Sequence, residues 1–317
     1  MQKKILSIVF TVLSTSLFGQ SKEGKLSNLL YAHNKLMYSF RWLIILFLSA
    51  ALPAQSQNTE TYKYPLSEIV TIHSKILKET RKIYVHCPKL DSADLNKRFP
   101  VLYVMDGDNH FELLAQYVDY LSRPDISAIP KIIVVGIPNT ERVRDLTPTQ
   151  SISNYEGKPD TTGQYKSSGG NENFFEFIKT ELMPIIEDNY KTKPYKIFAG
   201  HSFGGISSIN CMLTHPAMFD AYIAISPSFW WDNEYLLKLT ENKIISGSTL
   251  NKKLFYCNGN EGGSNSFFHK GLLKFNSIIA KKKIVGLDYN YKYYPNEMHM
   301  TVPIVAYLDA LRFIFNR

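Results

Sequence analysis

Residues 198–206 read Phe198-Ala-Gly-His-Ser-Phe-Gly-Gly-Ile206, and the reading of this stretch decides the fold. Gly200-His-Ser-Phe-Gly204 has the G-x-S-x-G spacing of a nucleophile elbow, in which a serine sits on a sharp strand-to-helix turn. Glycines two residues before and after the serine let neighbouring chain pass where a Cβ would clash. The turn also puts the Ser202 hydroxyl at a helix N-terminus, where free N–H groups and the helix dipole favour negative charge. Context favours an elbow over an accidental turn, because residues 195–199 are strand-like and residues 206–213 helix-like.

Outward from the elbow, strand-like and helix-like segments alternate from about residue 62. That is the pattern of an α/β fold with a mostly parallel central sheet of about eight strands and helices on both faces. Strands are expected at 69–73, 81–87, 101–105, 131–137, 196–199, 221–225, 253–257 and 287–293. The first two are read as antiparallel, since too few residues separate them for a crossover helix. Helices are expected at 110–121, 173–190, 204–214, 266–280 and 302–315; in 173–190, Phe174, Phe177, Ile178, Leu182, Ile185 and Ile186 recur at helical spacing. Residues 138–170 are polar and long for a connection, which marks either a lid or a disordered tract.

At 317 residues, 44% hydrophobic and 20% charged, the chain suits one large globular domain and is neither disordered nor fibrous in composition. Its net charge is +8, but residues 1–57 hold Lys3, Lys4, Lys22, Lys25, Lys35 and Arg41 against Glu23 alone. What remains is too small and too scattered to argue for a nucleic-acid partner. Lys3-Lys4 before the apolar run 5–18 reads as an export signal, and Lys35 to Arg41 before the run 42–52 reads as a second. Tandem signals are accounted for if Met37 is the true start. The alternative is an anchor, although each run falls short of the roughly 20 apolar residues of a spanning helix. The expected organisation is therefore an export region over 1–57 and a catalytic domain over 58–317. The mature protein is expected in the periplasm or secreted, touching membrane only through its N-terminal segment. Cys87, Cys211 and Cys257 close no disulfide framework and match no zinc spacing, so each is expected to be a buried free thiol.

A serine hydroxyl needs a base. In this architecture the order is serine, acid, histidine, and His299 alone among the histidines lies beyond the last strand, just before the final helix. Glu261, in the turn after the strand at 253–257, is the favoured acid, with Asp232 its main rival and Asp288 and Glu297 weaker ones. Two N–H donors are needed for the oxyanion. The expected pair is the Phe203 amide and the Asp108 amide of Asp106-Gly-Asp-Asn109, with Gly107 or Asn109 as alternatives to Asp108. A calcium reading of that acidic turn lacks the ligand count, and no metal or cofactor is expected.

Five segments, LYVMDGDNHF, VVGIPNTERVRDLTPT, FAGHSFGG, SPSFWWDN and EMHMTVP, together resemble the Putative esterase (esterase D-like) family of α/β-hydrolases, most closely its enterochelin-type siderophore esterase branch. The resemblance spans about residues 62–315. It implies the α/β-hydrolase fold, with Ser202 as nucleophile, His299 as base, an oxyanion donor near Asp108 and Glu261 as acid, although some siderophore esterases resemble a Ser-His dyad. Arg142 and Arg144 are placed to receive an anionic or catecholate substrate; the competing reading is that Arg144 and Asp145 pair to shape the loop. Trp230 and Trp231, with Phe229, either stack on an aromatic acyl group or cap the core.

The implied activity is hydrolysis of a small-molecule carboxylic ester through an acyl-enzyme, with a siderophore lactone or another aromatic ester as substrate. An acyltransferase would share the acyl-enzyme step and differ only in the acceptor. A binding module with a relict site would need a damaged constellation, and the sequence shows none.

Overall fold

Central strands that are apolar at nearly every position require a sheet covered on both faces. The computed structural model describes residues 31–38, 67–263 and 266–316. Its sheet comprises β1 Ser67–Ser74, β2 Glu79–His86, β3 Phe99–Met105, β4 Ile133–Ile137, β5 Thr192–His201, β6 Ala221–Ile225, β7 Thr249–Gly259 and β8 Val285–Tyr294. Their order is β1-β2-β4-β3-β5-β6-β7-β8. Only β2 runs against its neighbours, and the remaining pairs are parallel. All eight expected strands are present, with ends moved by a few residues.

The helices are α1 Gly107–Leu121, α2 Arg142–Leu146, α3 Asn171–Phe177, α4 Met183–Asn189, α5 Phe203–Thr214, α6 Trp231–Lys243, α7 Phe267–Lys282 and α8 Val302–Ile314. Side chains alternate across the sheet. Tyr103, Met105, Phe198 and Tyr222 point to the face covered by α3 to α7, and Leu102, Val104, Ile197 and Ile223 to the face covered by α1 and α8. Both cores are packed by hydrophobic and aromatic side chains, and the parallel strands send their carboxyl-end loops along one edge.

Two expectations change. The helix expected over 173–190 is broken by a π turn over Ile178–Leu182, directly before Pro184 in the first turn of α4. Proline has no N–H for the carbonyl four residues back, and a widened turn absorbs the defect. The 138–170 segment is an ordered stretch and not a disordered tract: it contains α2, and the Gly170 N–H donates to the Arg144 carbonyl at 2.8 Å. Further along it, the Gly169 N–H donates to Thr147 Oγ1 at 2.9 Å and the Ser151 N–H to Ser168 Oγ at 2.9 Å.

Cys211 and Cys257 are buried free thiols, whereas Cys87 is exposed, because β2 ends at His86. The chain divides into units Met1–Lys63 and Tyr64–Arg317. In the first, residues 31–38 are helical and include Met37; the runs 5–18 and 42–52 lie outside the described residues. Among the described residues no helix is long and apolar enough to cross a membrane.

Candidate active site

Ser202 ends the turn from β5 into α5 with φ 59° and ψ −113°, a conformation that costs a non-glycine residue strain and persists only when its surroundings hold it. They do. Its N–H donates to the Ile225 carbonyl at 2.9 Å, and its carbonyl accepts from the Ile206 and Ser228 amides at 3.1 and 3.3 Å. A Cβ on Gly200 would overlap the Gly204 backbone, and one on Gly205 would stand 2.9 Å from the Ile225 carbonyl oxygen. Gly200 and Gly205 thus let β5, α5 and the end of β6 touch, whereas a Cβ on Gly204 would stand 3.3 Å from the Asp106 carboxylate. The Ser202 hydroxyl meets the Ser228 hydroxyl at 3.2 Å.

His299, in the turn between β8 and α8, places Nδ1 3.1 Å from Glu261 Oε2, and the Glu261 side chain is only 2% exposed. The pair is an ion-pair contact at 3.1 Å, both atoms lacking a hydrogen-bond partner among the described residues, and with Nδ1 turned to Glu261, Nε2 is the ring nitrogen left for Ser202. The other oxygen of Glu261 accepts from the Ser226 hydroxyl and from the Gly259 N–H at 3.3 Å. Asp232 sits instead in the first turn of α6, and Asp288 pairs with Lys253 at 3.3 Å. Close contact ties the base loop to the acid loop, with the Asn260 N–H donating to the Glu297 carbonyl at 2.5 Å. Ser202 and His299 share a cleft of about 590 Å³ with Asp106, Arg142, Met300 and Ile304.

Two more histidines line it. His201 is 4% exposed, and its ring centroid lies 4.5 Å from that of His299 and 5.7 Å from that of His110. Burial, reinforced by His299, His110 and Arg142, holds His201 well below the ordinary histidine range. Burial also lowers His110. Both are neutral neighbours of the base at neutral pH.

The remaining expected residues fall out differently. Gly107 and Asp108 occupy the first turn of α1, where amides lack an intrahelical acceptor; the Asn109 amide already donates to the Asp106 carbonyl at 2.9 Å. The Asp108 side chain turns to an adjoining depression and accepts from the Asn139 amide at 3.3 Å. Gly107 is glycine because a Cβ there would stand 2.7 Å from the Ile137 nitrogen. The Phe203 amide opens α5 beside Ser202.

Arg142 is not a free cation at the mouth. It grips Asp106 with Nε at 2.6 Å and Nη2 at 3.0 Å, reaches the His201 carbonyl at 3.3 Å and lies over the Phe203 ring. It fastens the β3 turn to the elbow, with a third of its side chain still exposed. Arg144 stands outside the cleft, bound to Glu79 at 2.7 Å and Asp145 at 2.7 Å, so the structural reading of that arginine holds. Trp231 is 1% exposed and donates to Thr149 Oγ1 at 3.2 Å, which makes it a core cap. Trp230 is half-buried among Tyr155, Tyr165 and Phe267, and its indole N–H has no acceptor among the described residues. Sequence reasoning missed Ser226, Ser228, His201 and Asp106. The only signal was their place directly after strands or beside the elbow. Among the described residues no cluster of His, Cys, Asp and Glu is arranged to hold a metal ion.

Comparison with known proteins bears on the fold and the family. A family described as Putative esterase matches residues 74–253. The chain is 26% identical over 269 residues to the ferri-bacillibactin esterase BesA of Bacillus subtilis, covering 80% of this chain and 91% of that protein. Its fold superposes on an IroE-like serine hydrolase from Shewanella oneidensis with TM-score 0.74 and 33% identity, covering 79% of this chain and 80% of the other. It also superposes on the BES protein from Bacillus cereus with TM-score 0.68 and 25% identity, covering 81% and 98%. With the eight-stranded sheet, the elbow and these relatives in agreement, the chain belongs to the Putative esterase family and is a carboxylic ester hydrolase of the α/β-hydrolase fold.

Proposed function

We propose that this protein is an exported serine esterase that opens an aromatic siderophore lactone or a related aryl ester through an acyl-enzyme. The observation that carries the mechanism is the convergence of a strained Ser202 and the Glu261-oriented His299 on one cleft. Ser202 Oγ turns from Ser228 and attacks the ester carbonyl while its proton passes to His299 Nε2. The carbonyl oxygen becomes an oxyanion held by the Phe203 and Asp108 amides. As the C–O bond breaks, His299 returns the proton to the departing alkoxide. Water then attacks the acyl-enzyme, gives its proton to His299, and releases the carboxylic acid and the free serine.

The substrate class rests on the relatives, among them the ferri-bacillibactin esterase, and on the half-exposed Tyr155, Trp230 and Phe267 beside the elbow. Export rests on the two signal-like runs. The test compares kcat/KM on p-nitrophenyl butyrate and a catecholate trilactone, with Ser202→Ala as control. The expected result is a trilactone preference above about a hundredfold, roughly 2.7 kcal/mol in the transition state, abolished by Ser202→Ala with the fold intact. Equal slow cleavage of both esters would remove the siderophore reading, and activity surviving in Ser202→Ala would remove the mechanism.

A further inference from the structure

The cleft that holds Ser202 and His299 is lined by residues of two chemistries. Asp106, Asn109 and Arg142 are polar; Leu113, Met300, Pro303 and Ile304 are apolar. The mechanism uses the first group, as the clamp beside the elbow, and gives the second no task. Met300 is 76% exposed and Ile304 48%. Scattered apolar side chains in solvent are ordinary on a folded surface. These two share one cleft with the nucleophile and the base.

Their supports are fixed. The Tyr117 hydroxyl donates to the Ile304 carbonyl at 2.7 Å, and the Met298 N–H donates to Thr301 Oγ1 at 2.9 Å. The His110 ring packs on that of Tyr307 at 5.6 Å between centroids, so α1 and α8 are joined under the cleft. Leu113, one turn before Tyr117 on the same face of α1, therefore stands beside the start of α8. The backbone is held while the Met300 and Ile304 side chains, out in water, do little for the fold. Apolar side chains on rigid elements suit a binding surface, and the flexible thioether of methionine adapts to ligands of varied shape.

The chemistry of the reaction says which half of an ester would reach them. When the C–O bond breaks, His299 Nε2 gives its proton to the departing oxygen, which must lie within about 3 Å of it. The group on that oxygen therefore continues past His299, where Met300 follows in the chain and Pro303 and Ile304 open α8. The carbonyl oxygen is meanwhile directed at the Phe203 and Asp108 amides, which leaves the acyl group the Trp230 side of the elbow.

We infer that Leu113, Met300, Pro303 and Ile304 form an alcohol subsite, an apolar shelf for the leaving half of the ester, and that Met300 and Ile304 make the enzyme prefer alcohols carrying an alkyl or aryl group. This rests on the proposed roles of Ser202 and His299. In a lactone the two halves are one molecule, and the shelf takes the arm on the alkoxide side.

The experiment uses the full chain, Met300→Ser, Ile304→Ser and the double variant. Met298→Ser is the control, because Met298 is 57% exposed next to His299 and does not line the cleft. Two ester series are hydrolysed. Butyrates of methanol, butanol and hexanol, followed by acid release, change only the alcohol; p-nitrophenyl acetate, butyrate and hexanoate change only the acyl group. Straight-chain alcohols differ little in acidity, so the first series reads contact with the alkyl chain. In the wild type kcat/KM is expected to rise about two- to fourfold per methylene of the alcohol, the upper figure matching full burial of one methylene. In the double variant the rise should shrink below about 1.5-fold per methylene, with the single variants between. The acyl-length profile and Tm should stay as in the wild type, and Met298→Ser should match the wild type in both series. A flat alcohol series in the wild type would overturn the inference. So would loss of the acyl profile in place of the alcohol profile, or an equal effect of Met298→Ser, the mark of a disturbed base loop. Fluorophosphonate labelling of Ser202 separates these failures from that of the esterase reading: labelling retained leaves the nucleophile in place, whereas no labelling of the folded wild type removes that reading and the shelf with it.

Discussion

Two groups of non-glycine residues with positive φ contrast in this chain. Lys78, in the β1–β2 hairpin, and Lys283, at the end of α7, have φ of 56° and 48° with side chains in solvent. Asp106, Ser202 and Ser226 have φ of 55°, 59° and 43°, but each directly follows a strand, β3, β5 or β6, and Asp106 and Ser226 are 2% and 1% exposed. Left-handed backbone costs an L-residue about 1–2 kcal/mol in either place. At the exposed turns nothing else depends on it. At the strand ends it aims a functional side chain: Asp106 at Arg142, Ser226 at Glu261 and Ser202 into the cleft. The same local conformation is incidental in one region and, by this reading, part of the mechanism in the other.

The sharpest way to break that distinction is at the acid. Glu261→Gln keeps shape and burial but removes the charge that orients His299 and stabilises its imidazolium. kcat is expected to fall about 10³- to 10⁴-fold, checked by steady-state kinetics on p-nitrophenyl butyrate. A loss below tenfold would mean that a Ser-His dyad suffices.

Next comes Arg142. As the clamp between Asp106 and the elbow, its replacement by lysine loses the two-pronged grip, and kcat on a neutral ester is expected to drop about 10- to 100-fold with little change in KM. If only KM rises, and only for anionic esters, Arg142 is a substrate contact.

A matched pair of glycine substitutions tests the two regions directly. Lys78→Gly relieves left-handed strain at the cost of chain entropy, so stability should change by less than about 1 kcal/mol and kcat not at all. Ser226→Gly relieves the same strain but removes the hydroxyl from Glu261, and kcat should fall about tenfold without loss of Tm. Full activity in Ser226→Gly would put the buried turns in the same class as the exposed ones.

What sequence could reveal followed from locality. The elbow is five residues long, the strands announce themselves by period, and Glu261 and His299 are set by which loop they occupy; these were legible. Partners distant in sequence were not. Arg142 reads as a free cation until Asp106, 36 residues upstream, is folded against it, and the Arg144–Asp145 pair reads as local until Glu79, 65 residues upstream, joins it. Trp230 and Trp231 are adjacent and chemically identical, yet Trp231 is 1% exposed and caps the core while Trp230 is half-buried among Tyr155, Tyr165 and Phe267, because successive positions face different surroundings. The serines of Ser226-Pro-Ser228 look like turn chemistry until the register of β6 beside β5 and β7 places one hydroxyl on Glu261 and the other on Ser202.

The smallest expected effect concerns pH. His201 and His110 are held below the ordinary value of 6.5 in the folded protein, chiefly by burial. Around His201 the facing groups are His299, His110 and Arg142, and around His110 they are His201, Tyr307, Asp106, Asp108 and Arg142. Below about pH 6.5 the unfolded chain binds protons that the folded one refuses, so the free energy of unfolding falls as pH falls. The stabilising contribution is complete above that pH and is lost progressively below it. Tm measured at pH 8, 6.5 and 5 should therefore drop on the acid side, and less steeply in a His201→Asn, His110→Asn double variant. A slope unchanged in the double variant would place the acid-sensitive groups away from the catalytic edge, and the contrast between the two regions would then be one of geometry alone.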